Sequence, residues 1–261
     1  MIPLIDVAFD GHVHTRLCNH AVGEMAEYVE QAVQRGLKTI VFLEHLETAI
    51  AYEPRCWLSE ADFDRYFEEG IRLKNHWEGV IDVRLGAETG VNREELGTIE
   101  KRLTQYPFER VGLSCHFHRH GDIHLNLLSR RKQSLDQLAA IGADTVISAY
   151  FDALIEAVAT LSCDALCHLD AVLRHLPGVS FHDGHRRQII QLLDGMRERN
   201  VALEINTSGF DYRGSAFPAP WIITEALKRG IPLQAGSDAH QPSDVGRYFA
   251  QLPQQLEALR P

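Results

Sequence analysis

Lys38-Thr-Ile-Val-Phe-Leu43 is a short apolar run rich in β-branched residues, and it ends in Glu44-His45. The stretch before it, Met25 to Arg35, is amphipathic with a period near 3.6 and is closed by Gly36. Such a period predicts a helix, and a glycine just past the end supplies the left-handed residue on which helices stop. The alternation continues in both directions. Further strand-like runs are Asp6–Phe9, Val80–Leu85, Glu109–Ser114, Asp164–Cys167, Val201–Ile205 and Ile231–Ala235. Further helical stretches are Leu58–Trp77, Asp144–Leu161, Arg186–Arg199 and Ala219–Arg229, the last closed by Gly230. Strand and helix in alternation imply parallel strands joined by helical crossovers. Seven such strands predict an α/β fold, a TIM-like barrel one strand short of the usual eight. An open doubly wound sheet is the structural alternative.

Composition removes several function classes. With 26 Lys and Arg against 36 Asp and Glu, the formal net charge is −10, which argues against a general nucleic-acid binder. An anionic substrate remains compatible, because bound divalent metals reverse the local charge. No apolar stretch approaches the ~20 residues of a membrane helix, so no membrane partner is expected. Met1-Ile-Pro-Leu-Ile-Asp6 lacks the basic and apolar regions of a secretory leader. The five cysteines, at 18, 56, 115, 163 and 167, do not form a disulfide framework, and a reducing, cytoplasmic location is expected. No linker or repeat divides the chain, and nothing in it bears on oligomeric state.

The chemistry is concentrated where the strands end. The first run leads into Asp10-Gly-His12-Val-His14 and the second into Glu44-His45. The third leads into Gly86-Ala-Glu88, the fourth into Ser114-Cys-His116 and the fifth into His168-Leu-Asp170. The sixth ends in Glu204-Ile-Asn206-Thr-Ser-Gly209, the seventh in Gly236-Ser-Asp238-Ala-His240. In a barrel these ends converge on one face, the face on which barrel active sites are built. Histidine with carboxylate is the ligand set of zinc, iron or manganese, and His12-x-His14 places both rings on one side of a strand. The remaining histidines read otherwise: His118, His120 and His124 as a solvated loop, and His76, His175, His182 and His185 as surface residues. Cys115 and Cys167, each beside a ligand-type histidine, are expected to point outward beneath the helices. No phosphate-binding glycine loop and no Gly-x-Ser-x-Gly occurs.

These motifs resemble the PHP (polymerase and histidinol phosphatase) superfamily, in its histidinol-phosphate-phosphatase branch. The resemblance runs nearly end to end. It is carried by Asp10-Gly-His-Val-His-Thr-Arg-Leu-Cys-Asn-His20, Phe42–His45, Gly86–Glu88, Gly112–Phe117, His168–Asp170, Leu203–Gly209 and Gly236–Gly246. It implies that residues 1–261 form one metal-dependent phosphoesterase domain, a distorted (β/α)7 barrel holding two to three divalent ions of zinc, manganese or iron. Carried over by position, His12, His14, Glu88 and Asp238 would hold one ion. Glu88, as a bridge, would hold a second with His116 and His168, and His20, His45 and His240 a third. The implied reaction is hydrolysis of a small phosphorylated metabolite, L-histidinol phosphate, by a metal-activated hydroxide, a step of histidine biosynthesis. Glu88, Asp238 and His240 are the catalytic candidates, with Asp238 or His240 supplying a proton to the leaving group. Arg174 and Arg213 are candidates for forked phosphate contacts, and Glu44 and Asp170 for the substrate amine. Two positions depart from the family pattern: Glu44 stands where Asp is common, and Asp211-Tyr212 separate Arg213 from the preceding motif.

Other functions fit parts of this pattern. A phosphodiesterase or nucleotide phosphatase could use the same metal platform. An amidohydrolase-like barrel also opens with His-x-His, but typically has eight strands and often a carboxylated lysine on the fourth, where His116 stands here. A metal-binding regulatory protein with a dead site is the non-enzyme alternative, but all nine ligand-type residues are intact, so no degeneration is visible.

Overall fold

A computed structural model describes residues 3–176 and 178–261 and, among them, one seven-stranded parallel sheet curled into a nearly closed barrel. In chain order come β1 (Phe9–Val13), α1 (Met25–Gln34), β2 (Thr39–Leu46), α2 (Glu60–His76), β3 (Asp82–Gly90), α3 (Leu96–Leu103) and β4 (Arg110–Ser114). An antiparallel hairpin, β5 (Phe117–His120) and β6 (Ile123–Asn126), precedes α4 (Lys132–Ile141), α5 (Ala143–Thr160) and β7 (Ala165–Leu166). The chain continues through α6 (Asp183–Arg199), β8 (Ala202–Asn206), α7 (Gly209–Arg213), α8 (Pro220–Lys228), β9 (Leu233–Gly236) and α9 (Leu252–Glu257). The spatial order is β1-β2-β3-β4-β7-β8-β9. First and last strands meet at a single parallel bridge, Val13 with Ala239, flanked by Asp238 N–H donating to His12 O (2.8 Å) and His14 N–H to Ala239 O (3.0 Å). The barrel, not the open sheet, is therefore the fold.

The helices begin and end where local chemistry dictates. Reciprocal capping boxes open α1 (Glu24 with Glu27) and α2 (Ser59 with Asp62). Pro220 sits in the first turn of α8, and Asn200, in the left-handed region, closes α6. His182 caps α6 by accepting from Gly184 N at 2.9 Å. His185, expected at the surface, is buried, its Nε2 3.2 Å from the Asp144 carboxylate. The first strand starts later than the apolar run predicts. Asp6 accepts from Ala8 N (2.8 Å) in a local turn that keeps residues 6–8 out of the sheet, so the motif 10–13 is itself the strand. The expected loop at 118–124 is the β5–β6 hairpin, turned at Gly121.

Two apolar layers pack outside the barrel. One sets Ile147, Phe151, Leu154 and Val158 of α5 against Ile189, Leu192 and Leu193 of α6; the other gathers α1, α2 and α9 over β1 to β3. Truncating a buried aromatic such as Phe151 to alanine costs about 3–5 kcal/mol. No single helix among the described residues is long and apolar enough to cross a membrane. Inside, Val41, Leu43 and Cys167 with Phe9 form the barrel floor. The floor is tight: a Cβ on Gly112 would lie 2.6 Å from the Cys167 sulfur. Cys167 thus faces inward, against expectation. Leu166 takes the outward place, and His168, at φ 25°, breaks the strand alternation so that its ring also enters the barrel. Cys115 packs outward as expected.

Candidate metal centre

Nine ligand-type side chains meet above that floor. His12 comes from β1 and His14 from the position just past it, His45 from β2 and Glu88 from β3. The segments after β4, β7 and β9 bring His116, His168, Asp238 and His240, while Asn19, at φ 67°, turns His20 in from the first loop. His168 and Asp238 both hold left-handed backbone, a conformation that costs a non-glycine residue about 1–3 kcal/mol and clusters at functional sites.

Their donor atoms point at one another. His12 Nε2 and His14 Nε2 stand 3.0 Å apart. His14 Nε2 is 3.4 Å from Asp238 Oδ1 and 3.7 Å from Glu88 Oε2, and His12 Nε2 is 3.6 Å from that same Glu88 oxygen. The other Glu88 oxygen meets His168 Nε2 at 2.7 Å and His116 Nε2 at 3.2 Å. Glu88 therefore lies between two ligand groups, as a bridge must. His20 Nε2 and His240 Nε2 stand 2.9 Å apart. His45 joins both sides: its Nδ1 is 2.9 Å from Glu88 Oε2, and it falls within ligand range of His14 and His240.

The outer nitrogens are held by a second tier. His12 Nδ1 donates to Glu204 at 2.6 Å and His116 Nδ1 to Glu47 at 2.7 Å. His20 and His240 donate Nδ1–H to the carbonyls of Cys18 (2.9 Å) and Asp238 (3.0 Å). Each bond fixes the tautomer that turns the Nε2 lone pair inward. Gly236 makes room for this tier, because a Cβ there would strike the Glu204 carboxylate. Glu47 was not among the residues singled out from the sequence. Its signal is its position, two past His45 and so on the same side of the chain.

Lone pairs facing each other across 3 Å in a buried site call for a cation between them. Glu88 Oε2, His14 Nδ1, His45 Nε2 and His168 Nδ1 are all buried without a hydrogen-bond partner among the described residues. Burial opposes charge on Glu88, yet His116, His12 and His45 hold its carboxyl well below the usual range. Burial likewise opposes charge on Asp238, which His14, His12 and His240 nevertheless keep well below it. Burial resists protonation of His116, but Glu88 and Glu47 push it up to about 10. Burial, with His14 beside both rings, drives His45 and His240 well down. The donor set fits divalent metal: a centre of carboxylates and imidazoles that holds protons where ions would otherwise sit.

A cavity of about 580 Å³ opens onto these residues and is also lined by Arg174, Ser208, Tyr212, Tyr52, Asn126 and Arg131. Arg174 is nearly buried, 3.7 Å from Asp238 Oδ2, and its Nε is a buried donor without a partner among the described residues. Three proposed substrate contacts lie elsewhere. Arg213 is turned away, donating to Asp170 (2.9 Å) and to the carbonyl of Ala216 (2.5 Å). The two intervening residues, Asp211 and Tyr212, rotate it off the cavity within the short α7 helix. Asp170 is consumed by that pair and by Ala219 N (2.8 Å). Glu44 is fully buried and accepts from Thr15 N and His45 N, since neighbours on a strand leave by opposite faces and His45 takes the inner one.

A family model described as the PHP domain matches residues 10–208, and one described as PHP-associated matches residues 223–259. The chain is 31% identical over 246 residues to a "Probable histidinol-phosphatase" of Deinococcus radiodurans, covering 92% of this chain and 89% of that one. It is 28% identical to the "Histidinol-phosphatase" of Bacillus subtilis, covering 91% and 95%. A crystal structure of histidinol phosphate phosphatase from Lactococcus lactis, complexed with zinc, L-histidinol and phosphate, superposes with a TM-score of 0.76 at 20% identity, covering 96% of this chain and 93% of that one. Fold and site together define a metal-dependent phosphatase built on a distorted (β/α)7 barrel. The chain belongs to the PHP family, in its histidinol-phosphatase branch.

Proposed function

We propose that this protein hydrolyses L-histidinol phosphate to L-histidinol and phosphate. The observation that carries the reading is the cavity: one nearly buried arginine, its Nε without a partner among the described residues, beside nine convergent ligand-type side chains, in a chain similar over nine-tenths of its length to histidinol-phosphatases. His12, His14, Glu88 and Asp238 would hold one ion, Glu88, His116 and His168 a second, and His20, His45 and His240 a third. Such ions, when bound, polarise phosphoryl oxygens and lower the pKa of water towards ~7.

The protein's own residues do the rest. Arg174 presents Nε and Nη2 to phosphate oxygens, a forked donor matched to that group. Glu204 and Glu47 keep His12 and His116 in the ligating tautomer. Asp238, held ionised, acts as ligand and accepts the proton of the attacking water, which it returns to the leaving oxygen. His240, held neutral, serves as ligand and not as the leaving-group acid. The cationic end of the substrate reaches the outer cavity, where Tyr52 and Asn126 offer a ring and an amide. Binding energy from that end orients phosphorus for attack.

We also assign the whole chain, 1–261, to one functional domain, since β1 and the segment after β9 supply ligands to the same group. Its five unpaired cysteines favour a cytoplasmic setting. The test compares kcat/KM for L-histidinol phosphate, sugar phosphates, mononucleotides and diesters on metal-loaded protein. Preference for histidinol phosphate by about tenfold, ~1.4 kcal/mol in transition-state binding, is expected. The same preference for a nucleotide or diester overturns the substrate and keeps the metal chemistry.

A further inference from the structure

Arg174 lies over two aromatic rings. Its guanidinium carbon lies 4.5 Å from the centroid of Tyr212 and 5.1 Å from that of Phe217. Arg130 lies 5.1 Å over Tyr212, and Arg213 lies 4.1 Å over Phe217. Cations and rings therefore alternate in the order Arg130, Tyr212, Arg174, Phe217, Arg213.

The column is anchored at one end and open at the other. Arg213 is tied to the buried carboxylate of Asp170 (2.9 Å). Phe217 is 1% exposed, and its backbone pairs with Asn206 at the end of β8 in both directions, at 2.8 and 2.9 Å. Tyr212 is 39% exposed and lines the cavity. One ring is a fixed wall and the other a cover. Stacking occupies the faces of a guanidinium and leaves its N–H edge free. On that edge Nη2 reaches Ser208 Oγ at 3.3 Å, and Nε has no partner among the described residues.

We propose that Tyr212 and Phe217 are positioning residues for phosphate recognition: together they clamp Arg174 so that its Nε–Nη2 edge faces a phosphate bound beside Asp238. The inference rests on Arg174 being the phosphate contact. It gives Arg213 a task that requires no contact with substrate, that of backing Phe217. A free arginine would lose several rotamers on binding; this one is ordered beforehand.

The test measures binding of inorganic phosphate to metal-loaded protein by calorimetry, beside KM and kcat for L-histidinol phosphate. The variants are Tyr212→Ala, Tyr212→Phe, Arg174→Ala and the double variant Tyr212→Ala with Arg174→Ala. Tyr212→Ala should weaken phosphate and raise KM together by about tenfold, between the values of an exposed and a desolvated cation–π contact, with a smaller change in kcat. Tyr212→Phe should recover most of that loss. In the Arg174→Ala background the tyrosine change should cost less than about twofold, because its target is gone. Unchanged phosphate affinity in Tyr212→Ala, or a full tenfold loss persisting without Arg174, overturns the clamp. If Arg174→Ala itself leaves phosphate affinity unchanged, the phosphate contact fails and the clamp with it. Because inorganic phosphate is the probe, an error in the substrate alone leaves these outcomes readable.

Discussion

Glu88 and Glu204 are both buried carboxylates beside histidines, yet they answer to different physics. Glu88 offers one oxygen to each of two ligand groups, whereas Glu204 touches the outer nitrogen of His12, the amide of His168 (2.8 Å) and the side-chain amide of Asn206 (3.0 Å). Glu88→Gln should therefore abolish binding of two ions at once. Glu204→Gln should keep the ligands and weaken metal by about 10–100-fold, the usual effect of an outer-tier change. Elemental analysis across a chelator series separates the two, and equal losses would refute the bridge. Glu88 was legible in the sequence because it ends a strand in a row of strand-end ligands. Glu47 was not, since its partner His116 is 69 residues away and only the folded barrel joins them. Glu44 and Asp170 were misassigned for a related reason: an acidic residue beside a ligand histidine is indistinguishable in sequence from one facing a substrate, until alternation and pairing decide.

Seven strands and five principal helices were legible because each carries its own periodicity or punctuation. The β5–β6 hairpin was not, as its alternation is among histidines and arginines and buries little. The clearest local signal is the capping box of α2. Ser59 and Asp62 bond reciprocally, and Arg55 adds a third contact at 3.0 Å. Burial opposes the Asp62 charge, but Ser59 and Arg55 together hold the carboxyl below the ordinary aspartate value of 3.8. A depressed carboxyl stabilises the fold above its unfolded pKa and loses that contribution as pH falls through the folded value. Asp62→Asn should thus cost about 1 kcal/mol at pH 7, and the gap from wild type should close as pH falls below 3.8. Denaturant melts at pH 7 and pH 3 check this; a constant gap would mean the loss is packing and not charge.

Barrel closure and metal binding should be coupled, because the seam between β1 and β9 is also where His12, His14, Asp238 and His240 face each other. The backbone contributes little there, a single bridge and two flanking bonds. Ions bound to both edges would reinforce it, by about 2.7 kcal/mol at a free concentration 100 times Kd. Removing metal with a chelator should speed hydrogen exchange at the amides of His14 and Asp238 by about tenfold or more, while Phe42 and Leu43, inside the β2–β3 pairing, stay protected. Uniform deprotection of the barrel would show that metal supports the whole fold and not its seam.

That seam also has a consequence for synthesis. A growing polypeptide brings out His12 and His14 first and Asp238 and His240 nearly last, with β9 the final stave between them. A chain still on the ribosome displays histidines without the aspartate that completes their set, and no earlier stopping point assembles it. If Asp238 and His240 are ligands, full metal occupancy would mark a chain translated past β9, and one stopped before that strand would lack two of the nine donors.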